Sequence, residues 1–399
     1  MFPPLAWCGP VAQNSYASLR GFSVALKVCS RLRGDIALSF LLLLPACAST
    51  PPSIRTAGCN ETIDQTCYPV WFASNRKPLS DTDLDSGLGD ATDESIHYGR
   101  RIVAVPNVPL NNSVKRAQPA ILDDSPTIAL DRDSDLSELV AWEGDMQSVL
   151  AALNPQDRDV VVYIHGFGTS FDQAVQQAAT LGAALRVPGI MAMFSWPSQG
   201  KHSPLSYLAD ITSVENSEEE LAGFLAHLGR LAGPGHVHVI AHSLGVYGFL
   251  RSMQSATARA QILEPQMHFG QIIFAAPDID ERLFRRLSAV VTPLSKRTTL
   301  YVADEDFAVK ASELLHGDRR MGLLPIGSPI DAIDTIEVLG RPSKVEVGHS
   351  YFRDAPTVLR DIQTLLYFGE SPEERHARNG FPVADDRQRM QAWIIHNQN

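Results

Sequence analysis

From about residue 158 onward, short runs of apolar residues alternate with stretches in which apolar residues return every three or four positions. DVVVYIHGFG carries an apolar run over 160–164 that ends in glycines. SFDQAVQQAATLGAAL after it has helical spacing, with alanine at the packing positions. The pattern repeats through a run at 191–194 and then SEEELAGFLAHLGRLAG, an amphipathic stretch with Ser217 as N-cap and Glu220 completing a capping box. Further runs follow in HVHVIAHSLG and at 272–276, 298–302 and 334–339. Strands that are apolar on every position are buried on both faces. The alternation therefore predicts an α/β fold, a mostly parallel central sheet with helices on both sides. Functional side chains are then expected on loops at the carboxyl ends of the strands. Upstream, YPVWFASNR and HYGRRIVAVP read as two strands joined by an acidic, Gly/Ser-rich loop, and 110–136 is polar and reads as irregular.

The first 46 residues do not share this pattern. Arg31 and Arg33 precede the apolar run 36–44, which ends in Leu44-Pro45-Ala46-Cys47. A charged segment, an apolar core too short to span a bilayer and a small-residue cut site describe an export signal. The stretch resembles a bacterial lipoprotein signal, which implies lipidation at Cys47 and a membrane anchor; the other readings are a plain secretory signal or a short membrane anchor. Ala48 rather than Asp after that cysteine implies the periplasmic face of the outer membrane. The segment before Val28 is longer than such a signal needs, which sets the expected translation start downstream of Met1. The expected organisation is a leader over 1–46, a tether over 47–67, the α/β domain over 68–367 and a polar tail over 368–399.

Charge and cysteine content narrow the function classes. The net charge is −11, and removing 1–46, with four basic residues and one acidic, takes it to −14. No basic patch or internal repeat appears, which argues against a nucleic-acid partner. No Cys-x-x-Cys or zinc-type His/Cys spacing occurs, so no metal and no cofactor are expected. Beyond the leader and Cys47 only Cys59 and Cys67 remain. In an exported chain such an even pair reads as a disulfide.

Ser243 follows the apolar run of HVHVIAHSLG and opens a helical stretch, the setting in which a G-x-S-x-G elbow raises a serine above a sheet. Small residues stand two before and two after it, Ala241 and Gly245, because strand and helix approach closely at such a turn. The other reading of Ser243 is a plain helix N-cap. The N–H of Leu244 would face an oxyanion, and the HGFG turn after 160–164 would supply a second N–H from Phe167. His165 in that turn reads as a loop-fixing residue rather than a base. In this fold the acid and then the base follow the serine along the chain. His349 in GHSYF sits on a loop after the last apolar run. His316 precedes that run, and His376 and His396 lie in the polar tail. For the acid, Asp304 and Asp306 follow the run ending at 302, and Asp278 follows the preceding one. Asp278 and Asp280 have the alternative role of capping the next helix. Trp196 and Pro197 read as pocket wall, and Tyr207 and Asp210 as part of a cover segment.

HGFGTSFDQAV, FSWPSQG, SYLAD, IAHSLG, FAAPDID, LYVADEDFAV, LHGDRRMG and GHSYF occur in the order found in a bacterial α/β-hydrolase family of unknown function, esterase- or lipase-like. FASNR and HYGRRIVAVP resemble its N-terminal part, so the resemblance spans about 68–367. It implies the α/β-hydrolase fold and places the acid at Asp306, where Glu305 stands in place of the family's asparagine. The expected function is a serine hydrolase acting on a small acyl ester through Ser243, Asp306 and His349. The alternatives are a non-catalytic envelope binding protein on the same scaffold, or an acyltransferase or peptidase using the same three residues.

Overall fold

A computed structural model describes residues 65–80, 87–106, 120–122, 128–130, 137–259, 267–323, 330–340, 348–380 and 393–396. Cys47 and Cys59 lie outside the described residues. Cys67 is disulfide-bonded. It belongs to β1 (Gln65–Pro78), so the first strand begins inside the segment read as tether.

The strand runs fold as their apolar pattern requires. β5 (Val160–Ile164), β6 (Ile190–Ser195), β7 (Val237–His242) and β8 (Phe269–Ala275) are buried at every position. β9 (Ser295–Val302) is buried from Thr298 on, and β10 (Ile333–Leu339) buries most of its length. β1 pairs antiparallel with β2 (Leu88–Pro106) and parallel with β6. Together with β3 (Ala120–Leu122), β4 (Ile128–Leu130) and β11 (Trp393–His396), the described strands form one sheet. Its order is β11-β10-β9-β8-β7-β5-β6-β1-β2-β3, with β4 also on β2. The neighbours from β1 through β6, β5, β7, β8, β9 and β10 to β11 are all parallel. Two apolar clusters, one on each face, make this a three-layer α/β molecule.

Three sequence expectations change. Residues 120–122 and 128–130, read as irregular, are strands too short to leave a periodic signal. The tail 368–399 is not wholly apart from the fold. α10 (Pro372–Asn379) closes with a capping box at Ser371, and β11 adds a parallel strand to β10. Arg375 explains the docking: fully buried, it donates from Nε to Asp361 Oδ1 at 2.9 Å, while Tyr301 donates to the other oxygen at 2.6 Å. Lastly, Ser217 makes no capping bond to α4 (Glu218–Ala232). The preceding helix, α3 (Pro204–Glu215), ends only two residues earlier, and Ser217 lacks the extended backbone of a cap. Its hydroxyl donates instead to Ser213 O at 2.8 Å and accepts from Asn75 Nδ2 at 2.9 Å.

Candidate active site

Ser243 stands between β7 and α5 (Leu244–Arg259) with φ of 54°, in the left-handed region that a residue with a Cβ enters only under constraint. The constraint is visible. Ser243 N donates to Ala275 O at 3.0 Å, and Ser243 O accepts from Val246 N at 3.1 Å and Asp278 N at 3.2 Å. The crowding demanded of the flanking residues is present as well. A Cβ on Gly245 would lie 2.4 Å from His165 O, and one on Gly166 would lie 2.7 Å from Ser243 Cβ. Ala241 is fully buried in β7, paired with Ile164 and Phe274. The HGFG turn is therefore pressed directly against the serine. Among the described residues, neither Phe167 N nor Leu244 N donates to a protein acceptor.

Of the three acid candidates, one meets His349. Asp306, fully buried, caps α7 (Phe307–His316): its Oδ1 accepts from Ala308 N at 3.0 Å and Val309 N at 3.1 Å. Its Oδ2 accepts from His349 Nδ1 at 2.7 Å. With Nδ1 as donor, a neutral imidazole has its accepting lone pair on Nε2. His349 follows β10 in a turn before α8 (Tyr351–Asp354), and its ring lies 4.7 Å from that of His242, the residue before Ser243. Asp278 is engaged elsewhere. It accepts from Tyr207 Oη at 2.8 Å and Ser312 Oγ at 2.6 Å, and pairs with Arg320 Nε at 3.3 Å. Asp304 is exposed. Asp280, not Asp278, caps α6 (Glu281–Val291), through Leu283 N at 2.8 Å.

Two other histidines of the region, His165 and His242, are held neutral. His165 is buried beside Arg76, and burial first, then that cation, pushes its pKa down to about 3. His242 is pushed well below the usual range by burial and then by His349. Trp196 is fully buried, stacks on His165 at 4.8 Å and donates to His165 O at 2.9 Å. It thus packs against the HGFG turn and holds its first residue. Tyr207, on α3, meets the Phe167 ring edge-on at 5.1 Å, and His202 does so at 5.6 Å. Arg76 and Ser198, which sequence reading passed over, lie fully buried behind this turn together with Asp210. Burial lowers the Arg76 pKa to about 9, which leaves it a cation at neutral pH. The sole sequence sign of Arg76 was an arginine closing an apolar strand. Among the described residues, no group of three or more His, Cys, Asp or Glu could hold a metal ion.

A three-layer α/β molecule with a serine elbow at the carboxyl end of a central strand, followed along the chain by a bonded Asp–His pair, is an α/β-hydrolase. Residues 143–367 match the family described as "alpha/beta hydrolase of unknown function", DUF900, and the chain belongs to that family. The match starts at 143, so the resemblance read over 68–142 lies outside it. No curated protein matches. Among solved structures, the chain is similar to one titled a "predicted CIB-like hydrolase" from Thermoplasma acidophilum, at 14% identity and TM-score 0.31, over 54% of this chain and 89% of that one. A hyperthermophilic esterase from the archaeon Pyrobaculum calidifontis shows 10% identity and TM-score 0.29, over 60% and 92%. A CE15 glucuronoyl esterase from Teredinibacter turnerae shows 10% identity and TM-score 0.31, over 74% and 77%. The family match, not these distant likenesses, carries the assignment.

Proposed function

We propose that this α/β-hydrolase is a serine hydrolase that cleaves carboxylic esters through an acyl-enzyme. The observation that carries the reading is the 2.7 Å bond from His349 Nδ1 to buried Asp306, with the His349 ring set against the residue that precedes a constrained serine. Ser243 Oγ attacks the ester carbonyl carbon while its proton passes to His349 Nε2. The resulting oxyanion is met by the N–H groups of Phe167 and Leu244. Collapse expels the alcohol, which takes the proton back from His349. Water, activated by the same imidazole, then releases the acid and restores Ser243. Asp306 fixes the tautomer and stabilises the imidazolium, which a serine hydroxyl needs because it is a poor nucleophile alone.

The substrates proposed are short-chain esters, because the stretch between Trp196 and α3 is brief and polar and does not form a large apolar lid. The test is turnover of p-nitrophenyl esters of increasing acyl length. Short chains should react fastest, and Ser243→Ala should abolish turnover. Activity should rise with pH as His349 becomes neutral, while His165 and His242 already stand neutral. Reaction with long chains alone would overturn the substrate class. Wild-type activity in Ser243→Ala would overturn the nucleophile.

We further propose export and a lipid anchor at Cys47, on the sequence argument given above. Globomycin should leave an unprocessed precursor, and Cys47→Ser should block lipid incorporation. Normal processing with no lipid on the mature chain would contradict the anchor.

A further inference from the structure

We propose that Arg76 and Asp210 are positioning residues that hold the HGFG turn, and with it the Phe167 N–H, in the geometry that receives the oxyanion. The proposal rests on the esterase reading above. Its first support is the polar end of a buried strand: β1 is buried at every position from Val70 to Arg76. Ser74, Asn75 and Arg76 are all buried, and the β1–β2 register shifts on both sides of Arg76. Ser74 and Arg76, two positions apart and so on one face of the strand, both reach Ser195: the Ser74 hydroxyl donates to its carbonyl at 2.6 Å. The guanidinium lies buried among oxygens and one imidazole of β2, the end of β6 and the two loops beside Ser243. Nε donates to Ser195 Oγ at 2.8 Å, and Nη1 to Gly89 O and Ser198 O, both at 2.9 Å. Nη2 donates to Thr169 O at 2.7 Å and lies 3.5 Å from His165 Nε2.

Asp210 grips the same turn from α3. Its Oδ2 accepts from Gly168 N at 3.1 Å and from Ser198 Oγ, and its Oδ1 accepts from Gln199 N at 2.9 Å. Ser198 Oγ accepts in turn from Thr169 N at 3.0 Å. Three backbone groups after Phe167 (Gly168 N, Thr169 N and Thr169 O) are thereby fixed by side chains from outside the turn. The cation and the carboxylate have no direct bond to each other; Ser198 joins them, its carbonyl on Arg76 and its hydroxyl on Asp210. Two charges buried this deeply are costly to desolvate, so such an arrangement is weak evidence for stability as its purpose. An oxyanion donor, by contrast, must be placed to within a fraction of an ångström, and its loss lowers turnover steeply.

The test compares full-length wild type with Asp210→Asn, Arg76→Lys and the milder Ser198→Ala, which removes the bridge but keeps both charges. Active sites are counted by fluorophosphonate titration, so that kcat refers to competent enzyme only. For Asp210→Asn and Arg76→Lys the expected result is a fall of about 10²-fold in kcat per titrated site on p-nitrophenyl acetate, with KM changed little. Ser198→Ala should show a smaller loss of the same kind. Binding of a boronic acid, a mimic of the tetrahedral intermediate, should weaken in parallel with kcat/KM across the set. A role in folding alone would lower the number of titrated sites and the melting temperature but leave kcat per site unchanged; that outcome, in Ser198→Ala as in the other two, overturns the proposal. Wild-type protein that neither labels nor turns over would overturn the esterase reading and this inference together.

Discussion

Asp306 divides its two oxygens between different tasks. One accepts two N–H groups at the start of α7 and fixes the carboxylate; the other accepts from His349. Asparagine caps helices about as well as aspartate, so Asp306→Asn should leave the fold nearly as stable while spoiling the imidazole tautomer. On the proposed mechanism, kcat should fall by about 10⁴-fold with little change in melting temperature. Asp278→Asn should do the reverse: it leaves His349 alone but breaks a buried ion pair with Arg320, so stability should fall more than kcat per active site. Steady-state kinetics and thermal melts of the two variants check the assignment, and equal kinetic losses would contradict it. Much at this scale was legible in the sequence, because chain order and strand ends left few candidates for each role. Arg76 was not legible. β1 is buried on both faces, so FASNR shows no alternation, and the groups that receive the guanidinium (Ser195, Ser198 and Thr169) lie far along the chain.

On the proposed mechanism, the strand–helix elbow is the element that makes the serine usable. It depends on contact with the preceding βα turn. A methyl group on Gly245 would press on the backbone oxygens of His165 and Ile164, at 2.4 and 2.8 Å, and backbone yields little. Gly245→Ala should therefore destabilise by about 1–3 kcal/mol, as overpacking does. It should also lower turnover by displacing the HGFG turn. A denaturant midpoint equal to that of wild type would show that the contact is not as tight as described. The elements around the elbow were readable because both-face burial makes a strand apolar throughout, and β5 was read with its observed ends. Capping signals were less secure. Ser170 closes a capping box with Gln173 at the head of α2 (Phe171–Leu185), whereas Ser217, with an equally good pattern, turns to Asn75. The pattern specifies a cap only where the chain enters the helix extended, and that depends on how closely the previous helix ends.

For the whole molecule, the alternation of strand and helix was enough to give the class, and carboxyl-end loops then gave the region of the site. The sheet's far edge was not visible in advance. β11 is four residues long in a polar segment, and it joins β10 beside a helix anchored through the buried Arg375–Asp361 pair. Long-range polar pairing of this sort carries no periodic signal. The central claim concerns one atom, Ser243 Oγ, and covalent labelling reads it directly. Full-length protein treated with a fluorophosphonate, digested and mapped by mass spectrometry should carry one adduct, on Ser243. Ser243→Ala should carry none, and His349→Ala should react far more slowly. An adduct on any other residue, or unchanged labelling in Ser243→Ala, would contradict the account.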